Sequence, residues 1–166
     1  MYTVKRFRSW PLLFLVIFVA VGVQPALPAI ATMSLQELAA QSSEVVRATV
    51  ETKESRWNDA HNFIFTYVTL RVTNTYTGTA PVASRLKVLV PGGEIDGVGL
   101  AVEHAPRFET GQEVITFLRV IEGTVYGVTG WEAGKFTVEQ TRVKETDQPV
   151  TDFENALRRA VRQVGK

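Results

Sequence analysis

The chain alternates apolar and polar residues with a period of two over much of its length. In the first half of the segment 44–56, every second side chain is apolar. A period of two places alternate side chains on opposite faces of a β-strand. The polar stretch 57–62 predicts a turn, with Asn58 and Asp59 suited to positive φ. The alternation resumes in residues 63–76, so the two segments predict a long antiparallel hairpin.

The second segment of this hairpin has two distinct faces. The apolar residues that share the face predicted to be buried are Ile64, Val68, Leu70 and Val72. The residues on the other face are Phe63, Phe65, Tyr67, Thr69, Arg71 and Thr73. We expect the first set to lie in the core.

Shorter apolar stretches predict further strands. They cover residues 86–90, 112–120, 124–129 and 135–138. The stretch 112–120 is mostly apolar, which predicts a central strand covered on both sides. Residues 91–93 (Pro-Gly-Gly) predict the end of the strand before them, because proline and paired glycines interrupt a ladder. Residues 94–106 are expected to form a long loop or a ragged hairpin.

Helices are predicted at the two ends of this β-rich region. Ser34 to Glu37 forms a capping box, which predicts a short helix that buries Leu35, Leu38 and Ala39. Thr151 to Glu154 forms a second capping box before an apolar stripe. The stripe consists of Phe153, Leu157, Ala160, Val161 and Val164. We expect this helix to cap an open end of the β-core; the alternative is a helix that binds a membrane surface or a partner.

The order of the elements predicts a mainly β fold. We expect a small antiparallel OB-like barrel of five or six strands over residues 32–138, with a short N-terminal helix and a C-terminal amphipathic helix. Residues 139–150 are polar and predict a mobile connector to the helix over 151–166. A β-sandwich fits less well, since its strands are usually more even in length.

Residues 1–31 have the pattern of a secretory signal peptide. Lys5, Arg6 and Arg8 precede an uncharged run of 13 residues, and Ala29 and Ala31 supply the small residues of a cleavage site. A spanning helix needs about 20 apolar residues, so an uncleaved anchor fits less well. We therefore expect a secreted or periplasmic protein that contacts the membrane only through this segment where it stays uncleaved.

Charge and cysteine content exclude several classes of function. Without the predicted leader, 15 basic residues face 17 acidic ones, so no nucleic-acid partner is expected. The chain has no cysteine, which excludes thiol catalysis, cysteine-ligated zinc and iron–sulfur clusters. No cofactor is expected.

Several short motifs resemble known families. The stretches 43–50 and 72–78, together with 115–118 and the turn Glu122-Gly123, resemble the netrin-like OB-fold domain of tissue inhibitors of metalloproteinases. The chain is also similar to a group of uncharacterised secreted bacterial proteins. The motifs that carry this second similarity are Trp57, Val90 to Gly93, Ala105 to Phe108 and Gly111 to Leu118. The resemblance implies an OB-like fold and a protein-binding role. No inhibitory residue carries over, because those inhibitors begin with a cysteine and this chain has none.

Aromatic side chains around the hairpin are the strongest candidates for a binding surface. They are Trp57, Phe63, Phe65 and Tyr67. Rigid aromatic residues dominate binding hot spots. The alternative is that the strand is buried on both faces, or that the C-terminal helix covers these side chains.

A second group of candidates lies in the segment 94–107. Glu103 and His104, with Glu94 or Asp96, have the ligand types of a zinc site, and Glu94, Asp96 and Glu103 have those of a calcium site. Neither set has the spacing of a known motif. The alternative is a loop histidine that is bonded locally. Arg107 ends this segment.

The sequence therefore predicts a non-enzymatic binding module. We expect its partner to be an extracytoplasmic protein, with proteases among the candidates. The segment 94–107 of this chain is expected to bind it. The first alternative is a cell-wall glycan bound by Trp57, Tyr67 and Trp131. The second alternative is a metal-dependent enzyme centred on Glu103 and His104.

Overall fold

A computed structural model describes residues 33–165 of the chain. The signal peptide predicted over 1–31 lies outside the described residues. In chain order the elements are α1 (Leu35–Ala40), β1 (Glu44–Trp57), β2 (Ile64–Thr77), β3 (Arg85–Pro91), β4 (Gly93–Ile95), β5 (Val98–Leu100), β6 (Glu113–Glu122), β7 (Val125–Val128), a 3-10 helix (Trp131–Gly134), β8 (Lys135–Glu139), β9 (Arg142–Val143), β10 (Gln148–Pro149) and α2 (Val150–Val164).

Five strands close into a ring. Their order is β1, β2, β3, β7, β6 and back to β1, and β8, β9 and β10 extend the sheet beyond β6. The mainly β fold, the short N-terminal helix and the C-terminal helix are confirmed. All pairs in the ring are antiparallel except β3 and β7. This parallel pair departs from our prediction for a geometric reason: strands cannot alternate in direction all the way around a closed ring with an odd number of members.

The predicted long hairpin is confirmed as β1 and β2. The first part of β1 pairs with both β2 and β6, whereas its second part pairs with β2. Three register shifts along β1 mark bulges, which bend the strand so that it can serve both partners. The turn departs from our prediction, because the positive φ falls on His61 (53°). Asn58 contributes its side-chain oxygen instead, which accepts the backbone N–H groups of Asn62 and Phe63.

The core has two parts, which lie on opposite faces of the ring strands. The inner cluster, inside the ring, includes Val46, Ala48, Val50, Val68, Leu70, Val72, Leu86, Val88, Val90, Phe108, Val114, Leu118 and Val128. The outer cluster includes Leu38, Ala39, Val45, Ile115, Phe117, Val138, Val143, Phe153 and Leu157. Both the predicted core face of β2 and the predicted central position of β6 are confirmed, since β6 contributes buried side chains to both clusters.

Helix α2 docks on the outer cluster. Phe153, Leu157 and Ala160 are its buried residues. Because Ile115 and Phe117 lie on the outer face of β6, the helix covers a side of the ring and not an open end, which corrects our prediction. None of the helices in residues 33–165 has the length and apolar character that a membrane crossing requires.

Hydrogen bonds to charged groups attach α2 to the ring. Glu154 on the helix accepts from the Arg47 guanidinium at 3.0 Å and from the Tyr76 hydroxyl at 2.6 Å. Arg47 also forms a two-point ion pair with Glu113 on β6, at 2.8 and 3.0 Å. Burial and the Glu154 carboxylate both raise the pKa of Tyr76. These bonds join β1, β2, β6 and α2 at one end of the hairpin.

Residues 139–150 are not the connector that we predicted. They form β9 and β10, and Val143 is completely buried in the outer cluster. The second capping box is also wrong: α2 begins at Val150, so Thr151 lies inside the helix. The helix begins earlier than predicted because β10 directs the chain so that the N–H of Val150 donates to the carbonyl of Thr141. The first capping box, Ser34 to Glu37, is confirmed.

Candidate functional site

Gly92 and Gly93 carry the chain from β3 across one end of the ring. Their φ angles are +90° and +145°. A Cβ atom on Gly93 would lie 2.4 Å from the Thr66 hydroxyl oxygen and 2.5 Å from that of Ser55. A Cβ atom on Gly92 would lie 2.6 Å from the carbonyl oxygen of Leu100. Both glycines are therefore required by backbone conformation and by close approach, Gly93 to β1 and β2 and Gly92 to β5.

The segment after these glycines is a short hairpin. β4 and β5 pair as a two-stranded sheet separate from the ring. Asp96 and Gly97 form its turn, with φ angles of +50° and +80°, which is the pattern of a two-residue type I′ turn. The ragged hairpin predicted within 94–106 is confirmed.

Phe108 returns the chain to the ring. Its side chain is 2% exposed and belongs to the inner cluster. Just beyond it, Gly111 donates its N–H to the carbonyl of Val50, and Val50 donates to the carbonyl of Gln112. The hairpin is thus fixed at both ends, by Gly92 and Gly93 on one side and by Phe108 on the other.

A cleft of about 710 Å³ lies between this hairpin and the end of the ring. Val68, Val90 and Phe108 from the inner cluster line it, together with Leu100 and Val102. Ligand sites in proteins are typically clefts of about 300–1,000 Å³ with mostly apolar walls and a few polar groups. This cleft has that size; these five side chains form an apolar floor, and polar and charged groups make up the rest of its wall.

The polar groups of the cleft fall into two sets. In the first set the Ser55 and Thr66 hydroxyls are 3.0 Å apart, and Thr66 donates to the carbonyl of Gly92 at 2.7 Å. The second set is charged and contains Lys53, Glu94, Arg107 and Glu109. Lys53 and Glu109 form an ion pair at 2.9 Å. Within residues 33–165, Glu94 and Arg107 form no ion pair, so the rim offers one carboxylate and one guanidinium to a ligand.

The aromatic residues of the long hairpin lie on two different faces. Trp57 is paired with Ile64 across the ladder, and cross-strand partners share a face. Phe63, Phe65 and Tyr67 point the other way and are half-buried; we call these three the aromatic strip. Pairing with β3 places Pro91 and Leu89 beside it. Because α2 reaches β2 near Tyr76, at the opposite end of the strand, it leaves the strip uncovered.

The three residues of the glycan hypothesis are not brought together. Trp57 stacks on His61 in the turn, with ring centres 6.2 Å apart. Tyr67 lies on the opposite face, under the Arg56 guanidinium at 5.4 Å. Trp131, 46% exposed, belongs to the 3-10 helix between β7 and β8.

His104 is paired with a residue that the sequence did not suggest. Its Nδ1 lies 2.7 Å from Oε1 of Glu132, and the N–H of Glu132 donates to the carbonyl of His104. Glu103 is 3.5 Å away on the other ring nitrogen, Nε2. Among the described residues, no three His, Asp or Glu side chains are placed to hold a metal ion. The ligand set that we considered, Glu103 and His104 with Glu94 or Asp96, is therefore not assembled.

The His104–Glu132 pair predicts a pH dependence. The Glu132 carboxylate, by hydrogen bonding first and by its charge second, raises the pKa of His104 above 6.5. The pair therefore makes its full contribution to the stability of the folded protein below about pH 6.5. This contribution is lost as the pH rises through the pKa of His104 in the folded protein, which is the higher of the two. We expect an NMR titration of the His104 ring to have a midpoint above 6.5 that falls in Glu132→Gln. A midpoint that is the same in both proteins would contradict this account.

Lys135 is a candidate that sequence reasoning missed. Its side chain is only 11% exposed, and burial lowers the pKa of its amino group. Nζ donates to the Thr137 hydroxyl at 2.6 Å and lies 5.8 Å from the centre of the Phe108 ring. Together with Arg107 it lines a smaller pocket of about 290 Å³. No local signal could reveal this burial, because the covering residues come from a segment distant in sequence.

Comparison with known proteins gave no assignment. No protein-family model matches the chain, and no curated protein is significantly similar to it. The netrin-like resemblance stays a prediction, and the site has to be interpreted from its own geometry.

Proposed function

We propose that this protein is an exported, non-enzymatic binding module that recognises a protein partner through the cleft beneath the β4–β5 hairpin. The observation that carries the proposal is the combination of an apolar floor with two unpaired rim charges, Glu94 and Arg107. An apolar floor contributes affinity, and rim charges of both signs favour correctly oriented partners.

The chemistry of the cleft favours binding over catalysis. Nucleophilic catalysis by a serine needs a base within hydrogen-bonding distance. The Ser55 hydroxyl is bonded to Thr66, and the lysine of the cleft is paired with Glu109. These contacts hold the wall of the cleft in place and leave Ser55 without a basic partner among the contacts described.

Export and the class of partner rest on the sequence. The leader-like residues 1–31 support a location outside the cytoplasm. The netrin-like resemblance supports a protein as the partner, with proteases as the first class to examine.

Site-specific photo-crosslinking tests the proposal. A photoreactive amino acid at Val98, which is 51% exposed at the tip of the hairpin, should capture one protein from the native extracytoplasmic fraction. The same group at Val82, which is 65% exposed and lies in the connection between β2 and β3 and not in the hairpin, serves as the control. We expect a crosslinked product with the photoreactive group at Val98 and none with the group at Val82. Equal capture from both positions would contradict the proposal.

A charge-reversal pair tests the role of the rim. We expect Arg107→Glu to weaken binding of the captured partner about tenfold, because it places a second carboxylate at the rim. Arg159→Glu, the same change at another exposed arginine, on α2, is the matched control and should leave the affinity unchanged.

The aromatic strip supports a second candidate function, binding of a cell-wall glycan. Phe63 and Phe65 have ring centres 4.8 Å apart, and Tyr67 continues the row. Retention on purified cell-wall material that Tyr67→Ala abolishes and Trp57→Ala preserves would favour this candidate, since Trp57 lies on the opposite face.

A further inference from the structure

The outer edge of β5 presents backbone groups to the cleft. In the β4–β5 hairpin, Ile95 and Val98 flank the two-residue turn, and the next pair is Glu94 with Gly99. Antiparallel pairs alternate between hydrogen-bonded and non-hydrogen-bonded, and the pair that flanks a two-residue turn is hydrogen-bonded. The N–H and C=O of Glu94 and Gly99 therefore point out of the hairpin.

The contacts of β4 agree with this assignment. The N–H of Glu94 points away from β5 and donates to the Ser55 hydroxyl of β1 at 3.4 Å. The equivalent groups of Gly99 point away from β4 on the other side. Gly99 lines the cleft, and no hydrogen bond to its N–H or C=O is found within residues 33–165.

Gly99 leaves this edge open. A Cβ atom built on it would meet no other atom within 4 Å. Its neighbour Val98 is 51% exposed. An exposed apolar strand with free backbone groups is a template for pairing with another extended chain.

We propose that the cleft binds an extended segment of the partner protein, which adds to β5 as a third strand. The proposal rests on the proposed function and names the form of the ligand. The backbone of the segment pairs with the N–H and C=O of Gly99. Every second side chain of the segment then points to the same face, which lets an apolar residue contact the floor at Val90 and Phe108. An acidic residue of the segment pairs with Arg107, the unpaired cation of the rim.

This mode of binding makes a strong demand on the backbone of both chains. In strand addition the main-chain hydrogen bonds supply much of the affinity, and pockets for alternate side chains supply specificity. Removing a single backbone N–H from either chain should therefore weaken binding, whichever side chain the altered residue carries.

The test uses the full chain and a displayed library of short random peptides as the probe. Peptides that the protein selects are synthesised, and their affinities are measured for the wild type, Gly99→Ala and Gly99→Pro. Proline removes the outward N–H, which the hairpin does not use, whereas alanine keeps it. We expect about a tenfold loss with Gly99→Pro and a change of less than about twofold with Gly99→Ala.

A second measurement keeps the test valid if Gly99→Pro fails to fold. N-methylation of the peptide at successive positions removes one backbone donor at a time. We expect affinity to fall at the position whose N–H faces Gly99 and to be kept at the positions on either side of it, since alternate N–H groups of an added strand face its partner. Equal affinity for wild type and a folded Gly99→Pro, or an N-methyl scan without this alternation, would overturn the added strand.

The outcome also separates this inference from the proposed function. Capture of a partner from Val98 with no peptide selected would refute the extended segment and leave the binding module intact. Failure of both experiments would refute both.

Discussion

Replacing Gly93 with alanine is expected to lower the free energy of unfolding by about 3–5 kcal/mol. At φ +145° the backbone is in a region that side chains rarely adopt, and the new Cβ would lie within 2.5 Å of two hydroxyl oxygens on β1 and β2. The loss has a conformational part and a steric part. Urea denaturation of both proteins, followed by circular dichroism, measures it.

Two further variants separate these parts. Ser55→Ala removes one of the two hydroxyls that the new methyl group would meet and leaves that of Thr66. Adding it to Gly93→Ala should therefore recover some of the steric part of the loss and none of the conformational part. Gly99→Ala is the matched glycine control, because its Cβ would meet open space. We expect it to change stability by less than about 0.5 kcal/mol. Equal losses at Gly93 and Gly99 would contradict the assigned role of Gly93.

Replacing Leu70 with alanine is expected to cost about 2–5 kcal/mol. Leu70 is completely buried, and its ladder partners Val50 and Leu86 belong to the same inner cluster. Truncation leaves a cavity in the middle of the ring, where strands fixed by hydrogen bonds cannot collapse to fill it. Thermal and urea denaturation should agree on the size of the loss.

The neighbouring residue supplies the control for Leu70. Thr69 points to the outer face, so Thr69→Ala should cost less than about 1 kcal/mol. A larger loss of stability at Thr69 than at Leu70 would mean that the buried and outer faces of β2 are assigned the wrong way round.

Alternation made most of the ring predictable from sequence. In β2, successive side chains differ so clearly in polarity that both the strand and its buried face follow from the pattern. The continuous apolar run of β6 likewise predicted a strand between two buried layers. The parallel pairing of β3 with β7 could not be predicted in this way, because alternation describes the faces of one strand and not its neighbours.

The errors near the C-terminus have a different origin. Strands of two residues, such as β9 and β10, are too short to show a period. Thr151 and Glu154 match a capping box, yet the chain is already helical at Val150 because of its bond to Thr141. Tertiary pairing overrode a local signal in both cases.

The candidate site was predicted in part. The segment 94–107 was expected to be the binding region, and its glycines indicated a loop or hairpin. The cleft itself depends on Phe108 entering the ring and on Gly93 touching β1 and β2, which are contacts between distant parts of the chain. The grouping of Trp57 with Tyr67 followed their closeness in sequence, whereas the ladder register places them on opposite faces.

The hairpin is joined to the ring by the paired glycines, by Phe108 and by the bond from the N–H of Glu94 to Ser55, and it adds no strand to the ladder of the ring. Its length and sequence can therefore be changed without altering the strands that hold the molecule together. A protein engineer could graft other turns between the glycines and Phe108 on one unchanged support, which under the proposed function would yield variants with different targets.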